Sequence, residues 1–262
     1  MATDELRRAH LNLVDSSRQF FELDPDAAIE AESGWLFGAG SSNHPVISNG
    51  AFCRDDGVDA GEFISRAKEF FAARDRRFSI WAKGGQAEDE DLVAAAEAAG
   101  FEAVYEMPEM VLRKRPEPPE PTLETELRKL EAPEQADDFW RVAIESYADI
   151  GFPPEIFSGY TNHAGLLAEN VAAFIAYLDG EPVSIAMTIV SDEVAGIYWV
   201  GSRIQARGRG IGRAVTTAAT AAGFDLGANV ASLQASPMGK PIYLAMGYEV
   251  AFDYRLFLSP EA

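Results

Sequence analysis

Arg207-Gly208-Arg209-Gly210-Ile211-Gly212 sets three glycines at alternate positions between an apolar run, Ile197 to Val200, and a helix-forming stretch that begins at Arg213. Glycine lacks a Cβ, so such a loop takes up positive φ and lets a ligand come close to the backbone. The first amides of the following helix point outward without intrahelical partners, and the helix dipole favours an anion there. The loop is therefore expected to hold phosphate. Four of the nine basic residues after position 115 cluster at this point: Arg203, Arg207, Arg209 and Arg213. In a chain of net charge −20, that cluster reads as an electrostatic socket for a polyphosphate.

Outward from the loop, the second half has a clear pattern. Thr122 to Leu130 reads as a first strand. A helix opens at Pro133-Glu134, with Phe139, Trp140, Ala143, Ile144 and Tyr147 on one apolar side. Another helical region is expected between Pro154 and Glu169. Strands Val171 to Leu178, Val183 to Val190 and Val194 to Gly201 form a meander, with turns at Asp179-Gly180 and Ser191-Asp192. After the loop come a helix from about Gly212 to Phe224, a buried strand Val230 to Ala235, and a short helix within Pro237 to Met246 that ends at Gly247. Tyr248 to Phe252 and Tyr254 to Leu258 read as the last two strands.

The first half reads as a worn copy of the same unit. Phe78 to Ala82 parallels Val230 to Ala235, Gly100-Phe101 parallels Gly247-Tyr248, and Met110 to Leu112 parallels Arg255 to Phe257. Its counterpart of the glycine loop, ahead of the helix Ala60 to Ala73, is Cys53-Arg54-Asp55-Asp56-Gly57, whose acids would repel phosphate. Four prolines among charges in residues 113–121 form an extended spacer. The expected organisation is a first domain over 1–115, a Pro-rich linker over 116–121 and a second domain over 122–262. Both are α/β, with largely antiparallel sheets flanked by helices.

Other phosphate loops do not fit. A nucleoside-triphosphate loop needs Lys-Ser/Thr where this chain has Arg213-Ala214, and the dinucleotide fingerprint has a different glycine spacing. Gly38-Ala39-Gly40-Ser41-Ser42-Asn43 ends in Asn and reads as a surface turn. The pattern Arg-x-x-Gly-x-Gly between strand and helix resembles motif A of the GNAT superfamily of N-acetyltransferases. Arg207, Gly210 and Gly212 fall on it, with Gly208 as an extra glycine. The order of elements resembles that family from about 122 to 258, so the chain is read as two tandem GNAT-like domains, the first degenerate.

The resemblance implies acetyl-CoA as co-substrate. The amides of Gly208, Arg209, Gly210, Ile211 and Gly212 would hold its pyrophosphate, with Arg203, Arg207 and Arg209. A backbone amide near Val200 would stabilise the developing oxyanion. Tyr243, in Tyr-x-x-x-Gly-aromatic, resembles the family position that protonates the departing thiolate, a role suited to a phenol that is neutral near pH 7. The expected reaction is transfer of acetyl to a small-molecule amine. A non-catalytic acyl-CoA sensor, or a transferase using another acyl donor or a hydroxyl acceptor, stays open.

The general base is not legible. The strand Ala195 to Val200 carries no acid, while Glu193, Glu145 and Asp149 read as solvated charges. The base is relayed by water, supplied by another segment, or absent. His163, in Gly159-Tyr160-Thr161-Asn162-His163, reads as a loop histidine.

Composition narrows the partners. So acidic a surface should repel nucleic acid and anionic membrane and suit a cationic amine. No apolar stretch reaches the ~20 residues of a membrane span, and the opening residues are not expected to act as a secretory signal. One cysteine, Cys53, rules out an internal disulfide or a Cys-based zinc cluster, and no metal is expected. It reads as an inert packed thiol. A cytoplasmic protein is expected, with a homodimer left open.

Overall fold

The computed structural model describes all residues except 1, 33, 56, 85–88, 118–124, 158, 160–162 and 261–262. Linker positions 118–121, Asp56 and Tyr160 to Asn162 thus lie outside the described residues. In the first half, α1 (Ala2–Leu23) leads into β1 (Ala28–Glu32), β2 (Trp35–Ala39) and β3 (Asn49–Cys53). These are followed by α2 (Ala60–Ala72), β4 (Ser79–Gly84), α3 (Glu90–Ala98) and β5 (Glu102–Leu112). In the second half, β6 (Thr125–Lys129) and α4 (Glu134–Ala148) precede β7 (Val171–Leu178), β8 (Glu181–Ser191) and β9 (Val194–Ser202). Then come α5 (Ile211–Asp225), β10 (Val230–Gln234), α6 (Lys240–Ala245) and β11 (Glu249–Leu258).

All eleven strands join one sheet in the order β1-β2-β3-β4-β11-β5-β10-β9-β8-β7-β6. Pairing is antiparallel except for β3 with β4 and β9 with β10. The repeat read in the sequence is present as α2-β4-α3-β5 against α5-β10-α6-β11. Gly100 (φ +82°) and Gly247 (φ +94°) each close a helix in left-handed geometry. The last strands are exchanged: β5 of the first half pairs with β10 of the second, and β11 of the second pairs with β4 of the first. The two lie side by side at the centre, with Glu106 opposite Arg255.

Three local expectations are corrected. Tyr248 to Phe252 and Tyr254 to Leu258 form one strand, β11, interrupted only by a register shift between Val250 and Phe252. The region 154–169 holds two 3-10 turns, Pro154–Phe157 and His163–Leu167, instead of a longer helix. Gly38 and Ala39 of the expected surface turn lie in buried β2.

Helix α1 was not anticipated. It lies across both halves on the sheet face that also carries α4. Leu13, Val14 and Phe21 pack on Leu36, Phe52, Trp81 and Leu256. Its polar residues dock it. Asn12 Nδ2 donates to the carbonyls of Ile189 (3.1 Å) and Val194 (3.0 Å), and its Oδ1 accepts from the Tyr198 hydroxyl (2.8 Å). His10 Nε2 donates to the Cys53 carbonyl at 2.7 Å, which leaves Nδ1 to accept from the Tyr254 hydroxyl at 2.9 Å.

Candidate active site

Strands β9 and β10 run parallel and are paired at Val194–Val230, Ala195–Ala231 and Gly196–Ser232. Beyond that point each continues without the other. The register of β9 against β8 slips between Ile185–Gly201 and Met187–Tyr198, so Trp199 and Val200 both face Ala186. Trp199 sits at φ +49°. A left-handed aromatic residue in a strand is costly, and here it forms a β-bulge that bends β9 away from its neighbour. The sheet therefore opens beside Val200.

The glycine loop closes the end of this gap. A 3-10 turn (Ile204–Ala206) leads into Gly208 at φ +74° and Gly210 at φ +78°, and Gly210 caps α5. A Cβ at either glycine would meet nothing within 4 Å, so the space beside the backbone is clear. Ile211 is buried and anchors the helix start, whereas Arg209 and Arg213 are exposed. The residues fit a phosphate group: free helix-start amides, two left-handed glycines, open space and exposed cations.

Two of the expected phosphate-binding arginines are engaged elsewhere. Arg203 is buried, with Nε 2.7 Å from Glu145 Oε2 and Nη1 3.9 Å from Glu181. Arg207 donates from Nε to the Ser202 carbonyl (3.0 Å) and from Nη2 to Asp149 (3.1 Å). Both tie the loop to α4 instead of presenting their guanidinium groups outward. The same contacts account for Glu145 and Asp149, which are ion-paired struts. Glu193 is at the opposite end of β9, bonded to Arg8 and Asn229. His163 Nε2 contacts Asp137 at 2.9 Å.

Tyr243 is buried in the cluster that contains Ile197, Leu233 and the partly buried Val200, at the gap between β9 and β10. Burial pushes its phenol up to about 12, so it holds its proton across the neutral range. Its ring lies 5.9 Å from that of Tyr248, whose hydroxyl meets Thr220 Oγ1 at 2.8 Å. Tyr147, near the end of α4, is raised mainly by burial and further by Tyr243. The two phenols are electrostatic neighbours, although α4 and α6 pack on opposite faces of the sheet.

One group at this level escaped the sequence reading. Glu109 of β5 is wholly buried opposite Gln234, the last residue of β10. Its Oε2 accepts from Gln234 Nε2 at 2.6 Å, while Oε1 makes no full hydrogen bond among the described residues, with the Ser232 hydroxyl beside the carboxyl. Desolvation raises its carboxyl to about 8, against the opposing pull of Gln234 and Ser232. The available signal was an acid inside the apolar run Met107-Pro108-Glu109-Met110-Val111-Leu112.

The first half's counterpart of the loop is a cavity of about 240 Å³ bordered by Cys53, Asp55, Asp59, Asp89 and Asp91. Asp59 Oδ1 accepts from the Glu62 amide at 2.8 Å, so the start of α2 is capped by the chain's own carboxylate. Cys53 is partly buried there and packs against the core of the first half. No group of His, Cys, Asp and Glu among the described residues is placed to hold a metal ion. No described helix is long and apolar enough to cross a membrane.

Residues 113–235 match the acetyltransferase (GNAT) domain family. No curated protein matches the chain. Among solved structures, a GCN5-related N-acetyltransferase from Kribbella flavida is similar over 96% of this chain and 96% of its own, with TM-score 0.73 and 18% identity. A tandem GNAT protein from the clavulanic acid biosynthesis pathway is similar over 100% of this chain and 98% of its own, with TM-score 0.63 and 12% identity. A GCN5-related N-acetyltransferase from Sphaerobacter thermophilus is similar over 88% and 82%, with TM-score 0.61 and 14% identity. At these identities the likeness is one of fold.

Proposed function

Because residues 113–235 of this chain match the acetyltransferase (GNAT) domain family, we propose that the chain transfers the acetyl group of acetyl-CoA to a small-molecule amine, with the second half holding the donor. The observation that carries this reading is the gap between β9 and β10, which runs from the Trp199 bulge to the glycine loop. It gives an extended thioester a slot with a phosphate cradle at one end and a buried phenol beside it.

In this reading the amides from Gly208 to Gly212 hold the pyrophosphate, with Arg209 beside them and Arg213 on the first turn of α5. Arg203 and Arg207 keep the loop in place through α4. The bulge turns the Val200 amide toward the developing oxyanion, where a fixed donor is worth most. Tyr243 gives its proton to the leaving sulfur. The acidic surface favours a cationic acceptor.

The test is an acetyl-CoA turnover assay with spermidine, neomycin and a lysine-containing peptide, read by free-thiol release and by mass spectrometry of the product. N-acetylated product is expected. Tight binding of acetyl-CoA without thiol release on any amine would instead indicate a sensor. An O-acetyl product would move the acceptor to a hydroxyl.

A further inference from the structure

The first half supplies a strand to the centre of the second half's sheet, and that strand carries a carboxylate at the height of the gap. The parallel register Gly196–Ser232 sets Gln234 level with Tyr198, where β9 begins its bulge. Glu109 is the direct partner of Gln234 across β5 and β10. Met110 and Leu112 pack with Tyr243 on one face of the sheet, and Val111 packs with Val194 and Val230 on the other. Alternation puts Glu109 on the face of Val111, opposite to the one on which Tyr243 packs.

Glu109 is wholly buried, one oxygen held by Gln234 and the other making no full hydrogen bond among the described residues. The hydroxyl of Ser232, the strand residue two before Gln234, lies beside this carboxyl and favours its charged form. Buried carboxylate oxygens are nearly always fully hydrogen-bonded, and a catalytic role is one reason a fold leaves one weakly satisfied. The three carboxylates weighed from the sequence are all committed. Glu145 and Asp149 pair with arginines of the loop, and Glu193 pairs with Arg8 at the far end of β9.

We propose that Glu109, lent by the first half, accepts the proton of the attacking amine at the gap between β9 and β10. The inference rests on the transferase reading above. As the amine nitrogen bonds to the acyl carbon, its proton passes to the Glu109 carboxylate. The C–S bond breaks, and the sulfur takes the proton of Tyr243. Solvent then returns a proton from Glu109 to the Tyr243 phenolate, which restores both groups. The two residues pack on opposite faces of the sheet, so each can serve a different proton. A carboxyl of about 8 is also a much stronger base than a solvated one. The titratable groups that share its surroundings are Tyr198 of β9 and Tyr254 of β11, with His10 and Asp15 of α1 behind them.

The test is kcat/KM against pH, from 5.5 to 9.5, for the wild type, Glu109→Gln and Gln234→Ala. It uses acetyl-CoA and whichever of the three amines is turned over, with acetyl-CoA affinity followed by calorimetry. Glu109→Gln is expected to lose about 100-fold in kcat/KM. It should also lose the acid limb near pH 8 and keep only the limb set by the amine's own deprotonation. Gln234→Ala removes a donor that stabilises the carboxylate, so its limb should move to higher pH. A Glu109→Gln protein within threefold of wild type, or one lowered equally at every pH with the limb intact, overturns the proposal and leaves the transferase reading standing. If Glu109→Gln fails to bind acetyl-CoA, Gln234→Ala decides: a shifted limb supports the base, an unshifted one overturns it. A wild type that binds acetyl-CoA and acetylates none of the amines removes both readings.

Discussion

Arg203, at the end of β9, grips Glu145 of α4, Nε to Oε2 at 2.7 Å and Nη2 to Oε1 at 2.9 Å, with the arginine side chain 8% exposed and the glutamate 51%. The pair fastens the entry of the glycine loop to the helix beneath it. Glu145→Ala would leave a nearly buried guanidinium with only Glu181, 3.9 Å away. Glu145 is half exposed, so screening keeps the cost below that of a fully buried pair, at about 2 kcal/mol. Thermal denaturation should show a fall of about 5 °C. The double variant Glu145→Ala, Arg203→Met should recover part of that loss, because the stranded charge is gone.

Gly210 caps α5 at φ +78° with empty space beside it. Gly210→Val puts a β-branched residue in the left-handed region, at about 1–3 kcal/mol of strain, and places its side chain where phosphate would lie. Acetyl-CoA affinity by calorimetry should fall at least about tenfold, equivalent to ~1.4 kcal/mol. An unchanged affinity would mean that the coenzyme does not use this loop.

Tyr243→Phe removes one hydroxyl from a packed ring. Turnover should fall by about 100-fold with acetyl-CoA affinity unchanged, the signature of a proton donor and not a binding contact. Turnover equal to wild type would remove Tyr243 from the chemistry.

Glu109 also ties stability to pH. Its carboxyl is raised in the fold to about 8 from 4.5, so the folded state holds its proton more tightly than the unfolded chain. That contribution is fully present below about pH 4.5 and is lost as pH rises toward 8. The slope is on the order of 1 kcal/mol per pH unit. Glu109→Gln cannot titrate. Urea denaturation between pH 5 and 8.5 should therefore find the variant gaining on the wild type as pH rises, then levelling off. A constant difference would show that the carboxyl titrates normally.

The loop, its helix and the meander were legible because each rests on local chemistry. Alternate glycines before a helix, Asp179-Gly180 in a turn and short apolar runs need no distant partner to be read. Helix α1 was missed because His10, Asn12 and Ser16 are buried polar residues on its inner face and break the apolar period. Their partners, Tyr254, Val194 and Tyr198, lie far along the chain. Glu109 was missed for a related reason. Its partner is Gln234, and nothing local to either shows that β5 crosses to the other half. The roles of Arg203 and Arg207 could not be read from charge alone, since loop position does not reveal that Glu145 and Asp149 wait beneath.

The exchange of β5 and β11 also governs the order of events during synthesis. When residues 1–115 have left the ribosome, β4 and β5 exist but β11, the strand that belongs between them, is still unmade. Each exposes an unsatisfied edge of the kind that recruits foreign strands. Neither half can close before residues 249–258 arrive, so the nascent protein stays open until nearly its whole length is available. Cutting the chain at the proline spacer should thus yield two aggregation-prone fragments that rescue one another when refolded together.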